Sequence, residues 1–170
     1  MIRLTTERLD IRPFDLKDID ELYNIVQDAS VARYLPGIYT DSKNQLARNL
    51  SIYMKADFKD DAYFALIEKK TEKLIGVIIL VRTYKRNMEL SYFVSKEKRG
   101  KGFILEALTE VLNWYTESGL NNSIILNVMN SNKSSINLCK KMQTAKIPLL
   151  TIFENATSRY YVIRPWSLKC

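Results

Sequence analysis

The stretch Arg99–Ala107 reads RGKGFILEA, and the hydropathy pattern changes across it. Before it, Met88–Val94 (MELSYFV) is aromatic and β-branched enough to predict a strand, and from Phe103 onward apolar residues recur at helical spacing. The glycines therefore fall at a strand-to-helix junction. Gly100 and Gly102 lack Cβ atoms and can turn successive backbone N–H groups toward one point, with the positive end of the helix behind them. Lys98, Arg99 and Lys101 add positive charge beside this turn. A phosphate or pyrophosphate is the ligand such a cradle takes. The competing reading is an ordinary basic surface turn.

A chain of 170 residues suits one domain, 1–170, with a continuous core. Gly and Pro are few, and no unit repeats at a fixed period. No apolar run approaches the roughly 18 residues that a membrane span needs, so the expected compartment is cytoplasmic. Cys139 and Cys170 fit neither a disulfide framework nor zinc-ligand spacing, and the chain has no histidine. A metal site or a histidine-dependent triad is not expected.

The formal charge of +7 favours anionic ligands without selecting one. Its carriers are scattered in three groups: Arg82, Lys85 and Arg86; Lys96 to Lys101; and Lys140, Lys141 and Lys146. No aromatic RNA-binding signature or dense basic tail accompanies them, so direct nucleic-acid binding is not expected.

Strands and helices alternate before the chain ends in strands. Arg8–Pro13 predicts a first strand, and Asp15 or Asp18 starts a helix through Ile19, Leu22 and Val26. Tyr34-Leu35-Pro36-Gly37 reads as a turn, with Tyr34 either packing or lining a site. A second helix is expected over Ser42–Lys55. Strands follow at Ala62–Glu68, Leu74–Arg82 and Met88–Val94, and their short connections favour antiparallel neighbours. The helix after the glycines buries Ile104, Leu108, Val111, Leu112 and Tyr115 and stops at Gly119. A strand at Ser123–Val128, a helix near Lys133–Met142 and strands near Ile147–Phe153 and Arg159–Ile163 complete an α/β chain. The fold class is a mixed, mostly antiparallel central sheet flanked by helices.

This order of elements, together with RGKGFILEA, resembles the GNAT superfamily of acyl-CoA-dependent N-acetyltransferases. The branch containing the ribosomal-protein N-terminal acetyltransferases is the nearer likeness. It is carried by TERLDIRPFDLKDIDELY in the opening strand and helix, ELSYFVSKEKRGKGFILEAL in the central segment and NSNKSSINLCKKM in the later helix, so it covers Thr6 to Met142. The family pattern of an Arg or Gln three residues before the second glycine is met by Arg99 and Gly102. Ile104 stands where a small residue is common, and Met142-Gln143-Thr144 replaces the usual leucine-glycine-phenylalanine ending.

The resemblance implies acetyl-CoA as cofactor. It places Phe93, Val94, Lys98, Arg99, Gly100, Lys101, Gly102, Phe103 and Ile104 against it, with the backbone of Arg99–Phe103 on the pyrophosphate. Asn132 and Ser135 match the segment that approaches the CoA arm, although Asn132 by itself also reads as a helix N-cap. The implied reaction is direct transfer of an acetyl group to a primary amine, on a protein N-terminus, including a ribosomal one, or on a small molecule. A GNAT-like binding or regulatory protein without catalysis is the alternative. The proton relay falls to Glu89, whose competing role is an edge-strand charge or a salt bridge. Cys139 takes the position of a tyrosine that in many members protonates the departing thiolate, and it also suits core packing. Glu106 reads as a helix or surface contact. Asp57, Asp60 and Asp61 either attract an ammonium group or form a solvated turn. Homodimerisation through a sheet edge or helix face accompanies the resemblance.

Overall fold

The computed structural model describes residues 2–58, 60–83 and 87–164. Its centre is an eight-stranded sheet in the order β1-β2-β3-β4-β5-β6-β8-β7. The strands are β1 (Leu4–Thr5), β2 (Leu9–Arg12), β3 (Asp61–Glu68), β4 (Lys73–Arg82), β5 (Met88–Val94), β6 (Ile124–Met129), β7 (Leu149–Glu154) and β8 (Ser158–Ile163). Every neighbouring pair is antiparallel except β5 and β6. Among the described residues the α-helices are α1 (Ile19–Val26), α2 (Ala29–Tyr34), α3 (Lys43–Tyr53), α4 (Phe103–Glu117) and α5 (Lys133–Thr144).

Strand alternation divides the apolar residues between two cores. Leu22, Val26, Leu46 and Leu50 of α1 and α3 cover one face of the sheet together with Phe93, Val77 and Ala65. On the other face Leu108, Val111, Leu112 and Tyr115 of α4, with Ile136, Cys139 and Met142 of α5, pack on Leu90, Ile78 and Leu126. The mostly antiparallel sheet flanked by helices is the architecture expected from the sequence.

Caps place the helix starts. Asp15 and Asp18 form a capping box before α1, and the buried Asp18 carboxylate also holds Arg12 at 2.7 and 2.8 Å. Ser42 accepts the Gln45 N–H, so α3 begins one residue after its cap. Among the strands and α-helices of the described residues, two were not expected. One is the two-residue β1, and the other is α2, which starts from an Asp28 cap and ends at Tyr34, the first residue of the expected turn. Lys85, Arg86 and Cys170 lie outside the described residues.

The parallel β5–β6 ladder has two rungs, Met88 with Ile124 and Glu89 with Ile125. Beyond them the strands part. β5 continues to pair with β4 as far as Val94, and β6 with β8 as far as Met129. The sheet therefore opens in its middle.

Candidate functional site

The opening is a cleft of about 520 Å³. Its walls are Leu90–Val94 of β5, Leu126–Met129 of β6, the glycine turn, the first turns of α4 and α5, Ser30, Val31 and Tyr34 of α2, and Leu35 just after it. Phe93 and Val94, Lys98 to Ile104 apart from Lys101, and Asn132 with Ser135 all line it. Lys101 is exposed and does not line the cleft, and its carbonyl accepts Arg8 Nη1 at 3.0 Å.

Gly102 is the residue before α4 and takes a left-handed φ of +84°, with Gly100 at +73°. This backbone conformation strains any L side chain. No side chain caps α4, and the first bond of the helix is Glu106 N–H to the Gly102 carbonyl at 3.0 Å. The N–H groups of Phe103, Ile104 and Leu105 precede that bond, and all three residues line the cleft. An uncapped helix start behind a glycine turn suits a pyrophosphate.

Glu106 secures this turn from behind. Its carboxylate accepts the Thr6 hydroxyl, the Arg8 backbone N–H at 3.0 Å and Arg8 Nε at 2.6 Å, while the Arg8 guanidinium lies 4.3 Å from the centre of the Phe103 ring. Burial alone would raise the Glu106 pKa, but the bonds from Thr6 and Arg8 outweigh it and hold the carboxyl below its ordinary value. The basic residues of the turn are also tethered. Lys98 Nζ meets both oxygens of the buried Glu68 at 2.6 and 2.7 Å, and Arg99 Nη2 lies 3.0 Å from Asp28 at the start of α2.

Strand alternation sends neighbouring residues of β5 to opposite faces. Glu89 is exposed and forms the last β5–β6 rung with Ile125, on the face that α1–α3 cover elsewhere. Among the described residues it is the only carboxylate that lines the cleft. Asp57, Asp60 and Asp61 do not line it. Asp61 shares a row with Glu89, since both pair with Val81, but its carboxylate accepts the Arg82 N–H at 3.0 Å. Asp60 is paired with the Arg82 guanidinium at 2.8 Å. These groups are bound to Arg82 because the β3 and β4 ends adjoin.

Cys139 is 1% exposed and belongs to the core between α5 and the sheet, with burial pushing its thiol up to about 11. Asn132 caps α5 by accepting the Ser135 N–H at 3.1 Å, and it lines the cleft as well. Tyr34 lines the cleft and bridges it, donating its hydroxyl to the Ser131 carbonyl at 3.2 Å. Sequence reasoning did not single out Tyr92 of β5 or give Lys141 of α5 a place at the site, yet both line the cleft. Tyr92 reads as one more apolar strand residue, and Lys141 as part of a basic helix face.

The sequence profile described as an acetyltransferase (GNAT) domain matches residues 8–143. The chain belongs to the GNAT family. A relative in Bacillus licheniformis, the uncharacterized N-acetyltransferase p20, is 28% identical over 176 residues and aligns with 99% of this GNAT chain and 96% of its own. A GNAT-family acetyltransferase of Bacillus anthracis has a similar solved structure, with a TM-score of 0.79 at 20% identity, covering 97% of this chain and 99% of that one. The spermidine N-acetyltransferase of Vibrio cholerae, solved with CoA and spermine, gives 0.78 at 17% identity, covering 97% and 100%. At such identities the structural likeness shows the fold. Similar structures also include a ribosomal L7/L12 acetyltransferase and a nucleotide-linked sugar GNAT, so the likeness reaches across GNAT subfamilies and does not single out the ribosomal-protein branch. Among the described residues no helix is long and apolar enough to cross a membrane, and no cluster of ligating side chains suits a metal ion.

Proposed function

We infer that this GNAT chain transfers an acetyl group from acetyl-CoA directly to the primary amine of an acceptor, either a protein N-terminus or a small amine. The observation that carries the reading is the opening between β5 and β6, with the uncapped start of α4 at one end and the Glu89 carboxylate at the other. The residues fit the cofactor. Backbone N–H groups around Arg99–Phe103 receive the pyrophosphate, and Arg99 and Lys141 supply positive charge for the phosphates. Asn132 offers an amide to the amide-rich arm. Bound acetyl-CoA supplies an activated thioester, so the protein contributes mainly position, which alone is worth several kcal/mol.

Glu89 faces the side of the cleft lined by Tyr34 and Leu35, where an acceptor enters, and takes the amine proton directly or through water. One carboxylate on this wall selects a single ammonium or amine more readily than a chain of them. Calorimetric titration with acetyl-CoA tests the cofactor assignment, and an amine and peptide screen read by free CoA release follows it. Saturable one-site binding with release on adding an acceptor is the expected result. Binding without release for any acceptor points to a non-catalytic GNAT scaffold, and no binding by folded protein overturns the reading.

A further inference from the structure

Tyr92 and Ser135 come from different elements and meet at the cleft: Tyr92 Oη lies 2.5 Å from Ser135 Oγ, and both residues line the opening. The alternation that turns Glu89 toward the acceptor side turns Tyr92 the other way, toward α5. Ser135 stands in the first turn of α5, where its N–H is held by the Asn132 side chain, so the origin of its hydroxyl is fixed. The titratable groups that face the Tyr92 hydroxyl are Cys139, one turn further along α5, and Tyr161 of β8. Burial and the neighbouring Cys139 push the Tyr92 phenol upward, and burial pushes the Cys139 thiol up to about 11. These groups stay neutral while an ordinary thiol, with a pKa of about 8.5, ionises. A phenol in that setting is a poor proton donor but a permanent hydrogen-bond donor.

An extended arm anchored at the glycine turn and laid between the parted strands toward their junction at Glu89 and Ile125 would pass Tyr92, which lines that opening. We propose that Tyr92, held by Ser135, donates the hydrogen bond that receives the sulfur of CoA as the acetyl group leaves it. The inference rests on the acetyl-CoA reading. Either hydroxyl can donate in this contact, and the proposed role requires Ser135 to donate to Tyr92 Oη so that the phenol O–H is left for the cleft. In the transfer the amine nitrogen bonds to the acetyl carbon, the carbon–sulfur bond breaks, and its electron pair stays on sulfur. The amine proton goes to Glu89 or water on the opposite face, and Tyr92 keeps its own. Base and donor thus sit on opposite sides of one strand, where neither quenches the other.

The test needs no acceptor. Free CoA bound to saturating protein is titrated with base, its thiolate is followed by ultraviolet absorbance, and desulfo-CoA serves as the reference that carries every ionisation of the protein. The bound thiol is expected to ionise roughly one pH unit lower on the wild type than on Tyr92→Phe, because a hydrogen bond to the charged form favours it. Ser135→Ala is expected to give a shift in the same direction, and it carries the test should Tyr92→Phe fail to fold. Equal thiol pKa values on wild type and variants, with CoA bound to all, overturn the inference and leave the acetyl-CoA reading standing. Absence of CoA binding to folded wild type overturns both.

Discussion

Arg99, in the turn that faces the cleft, reaches Asp28, the residue that caps α2, with 3.0 Å between Nη2 and Oδ1. The bond from the Ser30 hydroxyl, followed by the Arg99 pairing and the cap bond from the Ser30 N–H, outweighs burial and lowers the Asp28 pKa from 3.8 to about 2. A depressed carboxylate stabilises the fold above its unfolded pKa. The Asp28 contribution is therefore complete above about pH 4 and lost as the pH falls toward 2. Asp28→Ala is expected to cost about 1 kcal/mol through the lost cap, whereas Asp28→Asn keeps the cap and costs less. Urea denaturation at pH 7 and pH 3 checks both, since the difference between wild type and Asp28→Asn shrinks at the lower pH.

Glu106→Ala removes the acceptor for Thr6 and Arg8 and leaves the Arg8 guanidinium without its carboxylate. A loss of about 2 kcal/mol in denaturant unfolding is expected. Because Arg8 also holds the Lys101 carbonyl, acetyl-CoA affinity measured by calorimetry falls with it.

Gly102→Val forces a β-branched residue into a φ of +84° and brings its Cβ within 3.4 Å of Arg8 Nη2. The strain is about 1–2 kcal/mol, and distortion of the turn lowers acetyl-CoA affinity by roughly tenfold or more. Unchanged affinity in a folded variant would remove the turn from the binding site.

Glu89→Gln keeps size and removes the proton acceptor. Turnover is expected to fall by roughly 100-fold at neutral pH, with acetyl-CoA affinity unchanged, as read from pH–rate profiles and calorimetry. An unaltered profile would assign Glu89 to the surface.

Much of the architecture was legible because its elements are locally encoded. The β-branched run of β4, the MELSYFV strand and the apolar stripe of α4 each identify themselves within a few residues. α2 is six residues long and buries only Val31, too little for a periodic pattern to show. Tyr92 shows why sites are harder to read. An aromatic in a strand looks the same in sequence whether its hydroxyl is idle or meets Ser135, and only the packing of α5 on the sheet brings the two together. The same limit applied to Asp60 and Asp61, whose partner Arg82 lies on the next strand.

The gap between β5 and β6 gives the molecule two inner edges that face each other across a slot, each lined with peptide groups that have no rung opposite them. A hydrocarbon chain laid there would leave those groups unanswered, at a cost paid in desolvation. A guest with its own amides can act as a missing strand, so the slot discriminates by backbone chemistry before any side chain is consulted. It also follows that filling the slot stitches the two halves of the sheet together, and the bound protein should unfold as a stiffer body than the empty one.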